Sequence, residues 1–297
     1  MINNIISNLL SGRFVLIAEA GVNYYDIAIK ENISNMDAAK LMIKKAAEAG
    51  LPAIKFQTYK AETLAAKESP SYWDTSMEPI TSQYELFKKF DSFGREEYQE
   101  LADFCEEQNI EFLSTAFDYE SADYLDDMMN VYKISSSDLN NLPFVKYQAQ
   151  KGKPIILSVG ASNLDEIKTT INTIRLVNDQ PIVLLHCVLE YPTPLNHANL
   201  NKIISLKKEF PDLIIGYSDH TKTTQDCVVQ TTAYNLGAIC IEKHFTLDKS
   251  IHGSDHLHSM DDRDAHDILE RISQIDNIRG SYDIRCLDSE LISRANA

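Results

Sequence analysis

Short apolar runs alternate with longer amphipathic stretches along nearly the whole chain. Residues 14–19 are apolar up to a carboxylate, Glu19, with Gly21 just beyond. A run this short, bounded by charge and glycine, predicts a buried strand rather than a helix. The same pattern predicts strands at residues 53–57, 111–115, 131–135, 154–158, 181–186, 213–217 and 238–244. Between them the apolar positions open to a spacing of three and four. Residues 36–49 place Met36, Ala39, Ile43, Ala46 and Ala47 on one face and stop at Gly50, which predicts a helix. Further helices are predicted at 95–108, 119–129, 142–151, 164–177, 200–209, 224–236 and 265–278. Eight strands, each followed by a helix, at spacings that suit right-handed crossovers, predict an α/β (β/α)8 TIM barrel over residues 1–280. The irregular stretch of about 35 residues after the second strand, with Pro70, Trp73 and Pro79, predicts a functional loop.

In such a barrel the carboxyl ends of all strands converge on one mouth. Here they carry Glu19 and Asn23; Lys55 and Gln57; Thr115 and Asp118; Lys133, Ser135 and Ser136; Ser158; His186 and Tyr191; Ser218, Asp219 and His220; Glu242, Lys243 and His244. Any one of these reads as a solvated surface residue. Polar side chains at every strand end together predict a catalytic mouth. Lys55, Lys133, Thr115, Ser136 and Ser158 are donor-rich, which suits a phosphate or phosphate-plus-carboxylate ligand; the alternative is that either lysine pairs with a barrel carboxylate. His220 and His244, with Asp219 and Glu242 alongside, suit an open divalent metal site, or else form an ordinary hydrogen-bonded pair. Imidazole and carboxylate admit Mn, Fe, Co or Zn. The later histidines, His252, His256, His258 and His266, fall in and after a polar loop and are expected to be solvated.

Charge narrows the partners. A formal charge of −16 over 297 residues disfavours nucleic acid and anionic membrane. It also means that an anionic substrate must be drawn in by locally placed lysines. Five cysteines without CxxC spacing fit reduced thiols in the cytoplasm. The first twelve residues lack the basic and apolar regions of a secretory signal, and no apolar run has the length of a bilayer span.

The strand-end motifs resemble one family. Ile17-Ala-Glu-Ala-Gly-Val-Asn23, Ile54-Lys-Phe-Gln-Thr58, Leu113-Ser-Thr-Ala-Phe-Asp118, Tyr132-Lys-Ile-Ser-Ser136 and Pro154-Ile-Ile-Leu-Ser-Val-Gly160 are similar to stretches of the sialic acid synthases. So are His186-Cys, Tyr191-Pro-Thr-Pro194, Gly216-Tyr-Ser-Asp-His-Thr221, Glu242-Lys-His-Phe-Thr-Leu-Asp248 and Gly253-Ser-Asp-His256. The resemblance implies condensation of phosphoenolpyruvate with an N-acylated hexose to a nine-carbon 2-keto acid. It implies phosphoenolpyruvate contacts at Lys55, Thr115, Lys133, Ser136 and Ser158, with Ser218 adjoining, and metal ligation by His220 and His244. Glu19 would serve in acid/base work, and Gln57, Tyr191 and Asp255 would lie on the sugar side. The implied metal is manganese first, with magnesium or cobalt as alternatives, and the implied assembly is a homodimer. Four positions depart from the family pattern: Tyr24 where His is usual, Asp138 in the sugar-binding loop where Glu is frequent, Leu189 where the residue is often polar, and Ser254 where Pro is frequent. The family also adds a carboxyl-terminal antifreeze-like domain that brings an arginine to a partner subunit's sugar. Residues 281–297 are expected to begin the linker to such a domain, making the chain a barrel fragment.

Two rival readings use the same mouth. One is a metal-dependent pyruvate aldolase, with Lys133 as a Schiff-base amine. The other is a catalytically silent sugar-phosphate-binding barrel.

Overall fold

The computed structural model describes residues 4–297 except 72, 74, 76, 77 and 254; the Ser254 departure lies outside the described residues. The eight strands form where the apolar runs predict them: β1 (Val15–Gly21), β2 (Ala53–Thr58), β3 (Glu111–Ala116), β4 (Tyr132–Ile134), β5 (Ile155–Ser158), β6 (Ile182–Cys187), β7 (Ile214–Asp219) and β8 (Cys240–His244). They pair in chain order, and β1 also pairs with β8, closing a parallel barrel.

Alternation along each strand divides the side chains. Leu16, Ala18, Ile54, Phe56, Leu157, Leu184 and Ile241 join the apolar layer shared with the surrounding helices. Ile17, Ala53, Leu113, Val131, Ile156, Val183, Leu185 and Cys240 form a separate cluster inside the barrel. Gly216 is required there: a Cβ would stand 2.3 Å from the Cys240 carbonyl oxygen and 2.4 Å from Leu185. The inner cluster also includes Ile5, Ile6 and Leu9, from an amino-terminal helix, Ile5–Leu10, that the sequence pattern did not predict. Glu111 holds that helix against the barrel by accepting a 2.8 Å hydrogen bond from the Ile5 amide.

Other differences are local. A helix at Tyr24–Glu31 follows β1 directly, and the irregular stretch after β2 contains helices at Ala61–Leu64 and Gln83–Lys89. The helix expected from residue 224 begins at Val228, because Cys227 takes a left-handed conformation, φ 51°. Residues 281–297 are almost wholly exposed, with one short helix at Leu291–Asn296.

Candidate active site

The inward positions above the apolar cluster carry charge. Lys55 lies 2.5 Å from a carboxylate oxygen of Glu19 and 3.8 Å from one of Glu242, and donates to the Thr115 hydroxyl at 2.9 Å. Lys133 reaches the other oxygen of Glu242 at 3.5 Å, and that same oxygen accepts from the Ser218 hydroxyl at 3.1 Å. All four charged groups are buried. Burial pushes the Glu19 carboxyl up to about 7, against the opposing pull of Lys55. For Lys55, burial pulls downward but Glu19 and Glu242 outweigh it, leaving the ammonium above its ordinary value. Lys133 is held below its ordinary value, since burial outweighs its attraction to Glu242. Glu242 resists its own burial because two lysines flank it, and stays below the usual carboxylate range.

Beside this layer, Ser158 presents a buried hydroxyl without a hydrogen-bond partner, and the Ser136 hydroxyl accepts from the Gly160 amide at 2.8 Å. A Cβ at Gly160 would come within 3.0 Å of both Ser136 and Leu189, so glycine lets the chain pass close to this pocket. Two lysines, the Thr115 and Ser136 hydroxyls and the unpaired Ser158 hydroxyl line a donor-rich pocket whose counterions are its own carboxylates.

One pleat further out stand imidazoles. His244 follows Glu242 by two residues on β8, and His220 follows Ser218 by two at the end of β7. Their ring centres are 5.4 Å apart. His220 Nδ1 makes a 2.8 Å hydrogen bond with the Val188 carbonyl, which leaves Nε2 as the nitrogen with a free lone pair. His244 Nδ1 is buried without a hydrogen-bond partner among the described residues. The segment after β8 doubles back: Phe245 donates to the Glu19 carbonyl and Met260 to the His244 carbonyl, each at 2.7 Å. Asn23 clasps this return by donating to the Phe245 carbonyl at 2.8 Å. The return brings Asp255 and His258 to His244, with one ligand atom from each within 4.8 Å of the others. Tyr191 stacks across the cluster, its ring 4.2 Å from that of His220, and is held there by the Thr193 amide bonding to the His220 carbonyl at 2.9 Å.

Orphaned, buried imidazole nitrogens beside a carboxylate fit a divalent cation, because nitrogen lone pairs buried without partners would otherwise cost desolvation. Glu19 ties the two layers together: it is in register with Lys55 on β2 and with His244 on β8. Gln57 donates to its second oxygen at 2.9 Å.

The residues expected at the mouth therefore divide. Glu19, Lys55, Gln57, Thr115, Lys133, Ser136, Ser158, Tyr191, Ser218, His220, His244 and Asp255 converge. Asp138 sits at the rim in a single turn, Ser136–Asp138, and burial lifts its carboxyl to about 6.

The NeuB family profile matches residues 42–283. The chain belongs to the NeuB family of sialic acid synthases. Membership makes it an enzyme of the acid synthase class. It is 36% identical over 287 residues to N,N'-diacetyllegionaminic acid synthase of Legionella pneumophila, covering 94% of this chain and 77% of that protein. The synthase of the same name from Campylobacter jejuni is 38% identical over 272 residues, covering 90% and 77%. Among solved structures, N-acetylneuraminic acid synthetase of Leptospira borgpetersenii superposes with a TM-score of 0.80 at 29% identity, covering 96% of this chain and 91% of that one.

Within this NeuB barrel four expectations need correcting. His256 and His258 are fully buried, not solvated; His256 bonds to Thr246 at 2.8 Å, whereas His252 and His266 are exposed as expected. His186 points outward, bonding to the Ala198 carbonyl at 2.8 Å and stacking on Tyr217 at 5.4 Å. Asp219 also points outward, paired with Lys243 at 2.8 Å and unable to join the imidazoles. Glu242 belongs with the lysines rather than with the histidines. The period-two alternation of the strands could have separated these residues in advance. Tyr24 likewise lies in an aromatic cluster behind the mouth, with rings of Tyr25 and Phe93 at 4.5 and 4.9 Å.

Proposed function

We propose that this enzyme condenses phosphoenolpyruvate with an N-acylated hexose to give a nine-carbon 2-keto acid and phosphate. The observation that carries the reading is the position of Glu19, in register with the lysine cradle on one side and with the imidazoles on the other. An anion held by Lys55 and Lys133 would then adjoin a sugar held at the imidazoles.

In this reading Lys55 and Lys133 exchange their carboxylate partners for the phosphate and carboxylate of phosphoenolpyruvate, with Thr115, Ser136, Ser158 and Ser218 adding hydrogen bonds. Gln57, Asp138, Tyr191 and Asp255 orient the open-chain sugar. His220 and His244 would hold a divalent cation, manganese by preference, with Asp255 within reach of His244. When bound, that cation polarises the sugar aldehyde. Carbon 3 of phosphoenolpyruvate attacks the aldehyde carbon, and the aldehyde oxygen takes up a proton. Water adds at carbon 2, and phosphate departs by carbon–oxygen cleavage, leaving the water oxygen as the new ketone. Glu19, lifted to about 7, is protonated for much of the time at neutral pH and is placed to supply that proton.

The aldolase reading has one observation in its favour: the Lys133 amine is held below its ordinary value, as a Schiff-base lysine needs. Its 3.5 Å contact with Glu242 suits an anion-binding ammonium better. Phosphate release from phosphoenolpyruvate, measured with Mn²⁺ over a panel of N-acylated aldoses including N-acetylmannosamine and di-N-acylated trideoxy hexoses, tests the proposal. Release dependent on one such sugar supports it. No release with any sugar, or a pyruvate adduct trapped by borohydride, overturns it.

The same reading carries a cytoplasmic homodimer, for which light scattering is the test. Among the described residues no helix is long and apolar enough to cross a membrane. The exposure of residues 281–297 suits a linker leading away from the barrel.

A further inference from the structure

His258 is the least explained side chain near the mouth. It is fully buried, yet neither ring nitrogen has a hydrogen-bond partner among the described residues. A buried imidazole normally bonds through at least one nitrogen, because leaving both dry forfeits the hydration they had in the unfolded chain. Its neighbours are other rings: His244 at 4.7 Å, Tyr191 at 5.7 Å and His220 at 6.0 Å between centres. Among the described residues no carbonyl or hydroxyl satisfies it, whereas nearby His256 has Thr246.

His244, His258 and Asp255 are gathered as ligands of one ion are gathered, one ligand atom of each within 4.8 Å of the others, and the His220 ring adjoins them. Imidazoles bound to a common metal through nitrogens at about 2.1 Å have ring centres on the order of 5 to 6 Å apart. The observed separations are 4.7, 5.4 and 6.0 Å. Asp255 adds a carboxylate oxygen within 4.8 Å of ligand atoms on both His244 and His258. The local backbone fixes this arrangement. The turn His256–His258 lies inside the doubled-back segment, which is anchored through Met260 to the His244 carbonyl and through Thr246 to the Met260 carbonyl.

We infer that His258 is a further imidazole ligand of the metal seat, so that this enzyme holds its cation with His244, His258 and Asp255, and with His220 adjoining them. The inference rests on the metal-assisted reading given above and extends it to the ligand set. A seat richer in nitrogen favours the later divalent ions over magnesium, so Co²⁺ is held more tightly than Mn²⁺, and Mg²⁺ weakly.

The test is metal binding to the full chain without substrates, followed by calorimetry for Mn²⁺ and by visible absorption for Co²⁺. His258→Ala and the volume-filling His258→Phe are compared with wild type and with His220→Ala, and metal-free melting curves establish that each variant is folded. The expected result is at least ~10-fold weaker binding in both His258 variants, a changed Co²⁺ absorption envelope, and recovery of affinity when free imidazole is added to His258→Ala. Wild-type affinity and spectrum in folded His258→Phe, with binding lost in His220→Ala, would overturn the inference and leave the two-histidine seat standing. Absence of binding by the wild type would instead remove the metal seat altogether.

Discussion

Glu19 and Lys55 meet on neighbouring strands with 2.5 Å between oxygen and nitrogen, and almost no solvent reaches either side chain. Burial nonetheless leaves the Glu19 carboxyl near pH 7, where small changes in pH alter its proton occupancy. As the proposed proton donor, it must be protonated in the free enzyme. kcat/KM is therefore expected to fall as pH rises through about 7. Glu19→Gln should lower kcat by roughly 10²- to 10⁴-fold and abolish that limb of the profile. If the limb survives in the variant, the ionisation belongs to another group.

The lysine cradle makes a separate prediction about binding. Each ammonium is expected to contribute one or two charge-assisted bonds to the bound anion. Lys55→Met and Lys133→Met should then each weaken phosphoenolpyruvate binding by about ten- to a hundredfold. Lys202, exposed on an outer helix, serves as the control. Calorimetry showing equal losses for Lys202→Met would place the anion elsewhere.

Outside the barrel wall, Asp219 and Lys243 form an ion pair with no solvent exposure, and Gln230 and the Thr221 amide also donate to Asp219. Burial opposes the Asp219 charge, but Lys243 and these bonds outweigh it and hold the carboxyl below its ordinary value. A depressed carboxylate stabilises the fold above its unfolded value of about 3.9, and that contribution is lost as pH falls through the folded value. Asp219→Asn strands a buried ammonium and is expected to cost about 3 kcal/mol at neutral pH. The gap between variant and wild type in denaturant titrations should narrow once the pH drops below about 4. A gap that stays constant to low pH would show that the pair is not the source.

At the other end of the barrel, the helix Ile5–Leu10 fills space rather than contributing chemistry. Leu9 is 2% exposed and packs within the inner apolar cluster. Leu9→Ala should destabilise the enzyme by about 2 to 5 kcal/mol, while KM for phosphoenolpyruvate stays the same. A changed KM would mean that the helix communicates with the mouth.

The strands were legible because each is a short apolar run that gives way to polar residues near its carboxyl end, and the closing pair of β1 with β8 follows from their number. The amino-terminal helix was not: six residues with an Asn4 cap give too little periodicity to stand out. Its role depends on Glu111, more than a hundred positions away. Lys55, Lys133, His220 and His244 were found because strand ends are marked in the sequence. His258 was missed because a polar loop reads as solvated until the Met260 and Phe245 bonds fold it back over β8. Asp219 and His186 were misplaced because position at a strand end says nothing about which side of the wall a residue faces; counting by twos from Ile17, Val183 and Gly216 would have shown it.

Ile5, Ile6 and Leu9 stop the lower end, so the way to Lys55 and Lys133 runs through the mouth where His220 and His244 stand. Glu242 and Ser218 sit about 6 to 7 Å beneath those rings along their strands. On the proposed reading the anion boards before the sugar, and the sugar then acts as a cork above it. Labelled phosphoenolpyruvate already seated should be committed to product when sugar is added with excess unlabelled competitor, whereas sugar bound first should simply block the way in.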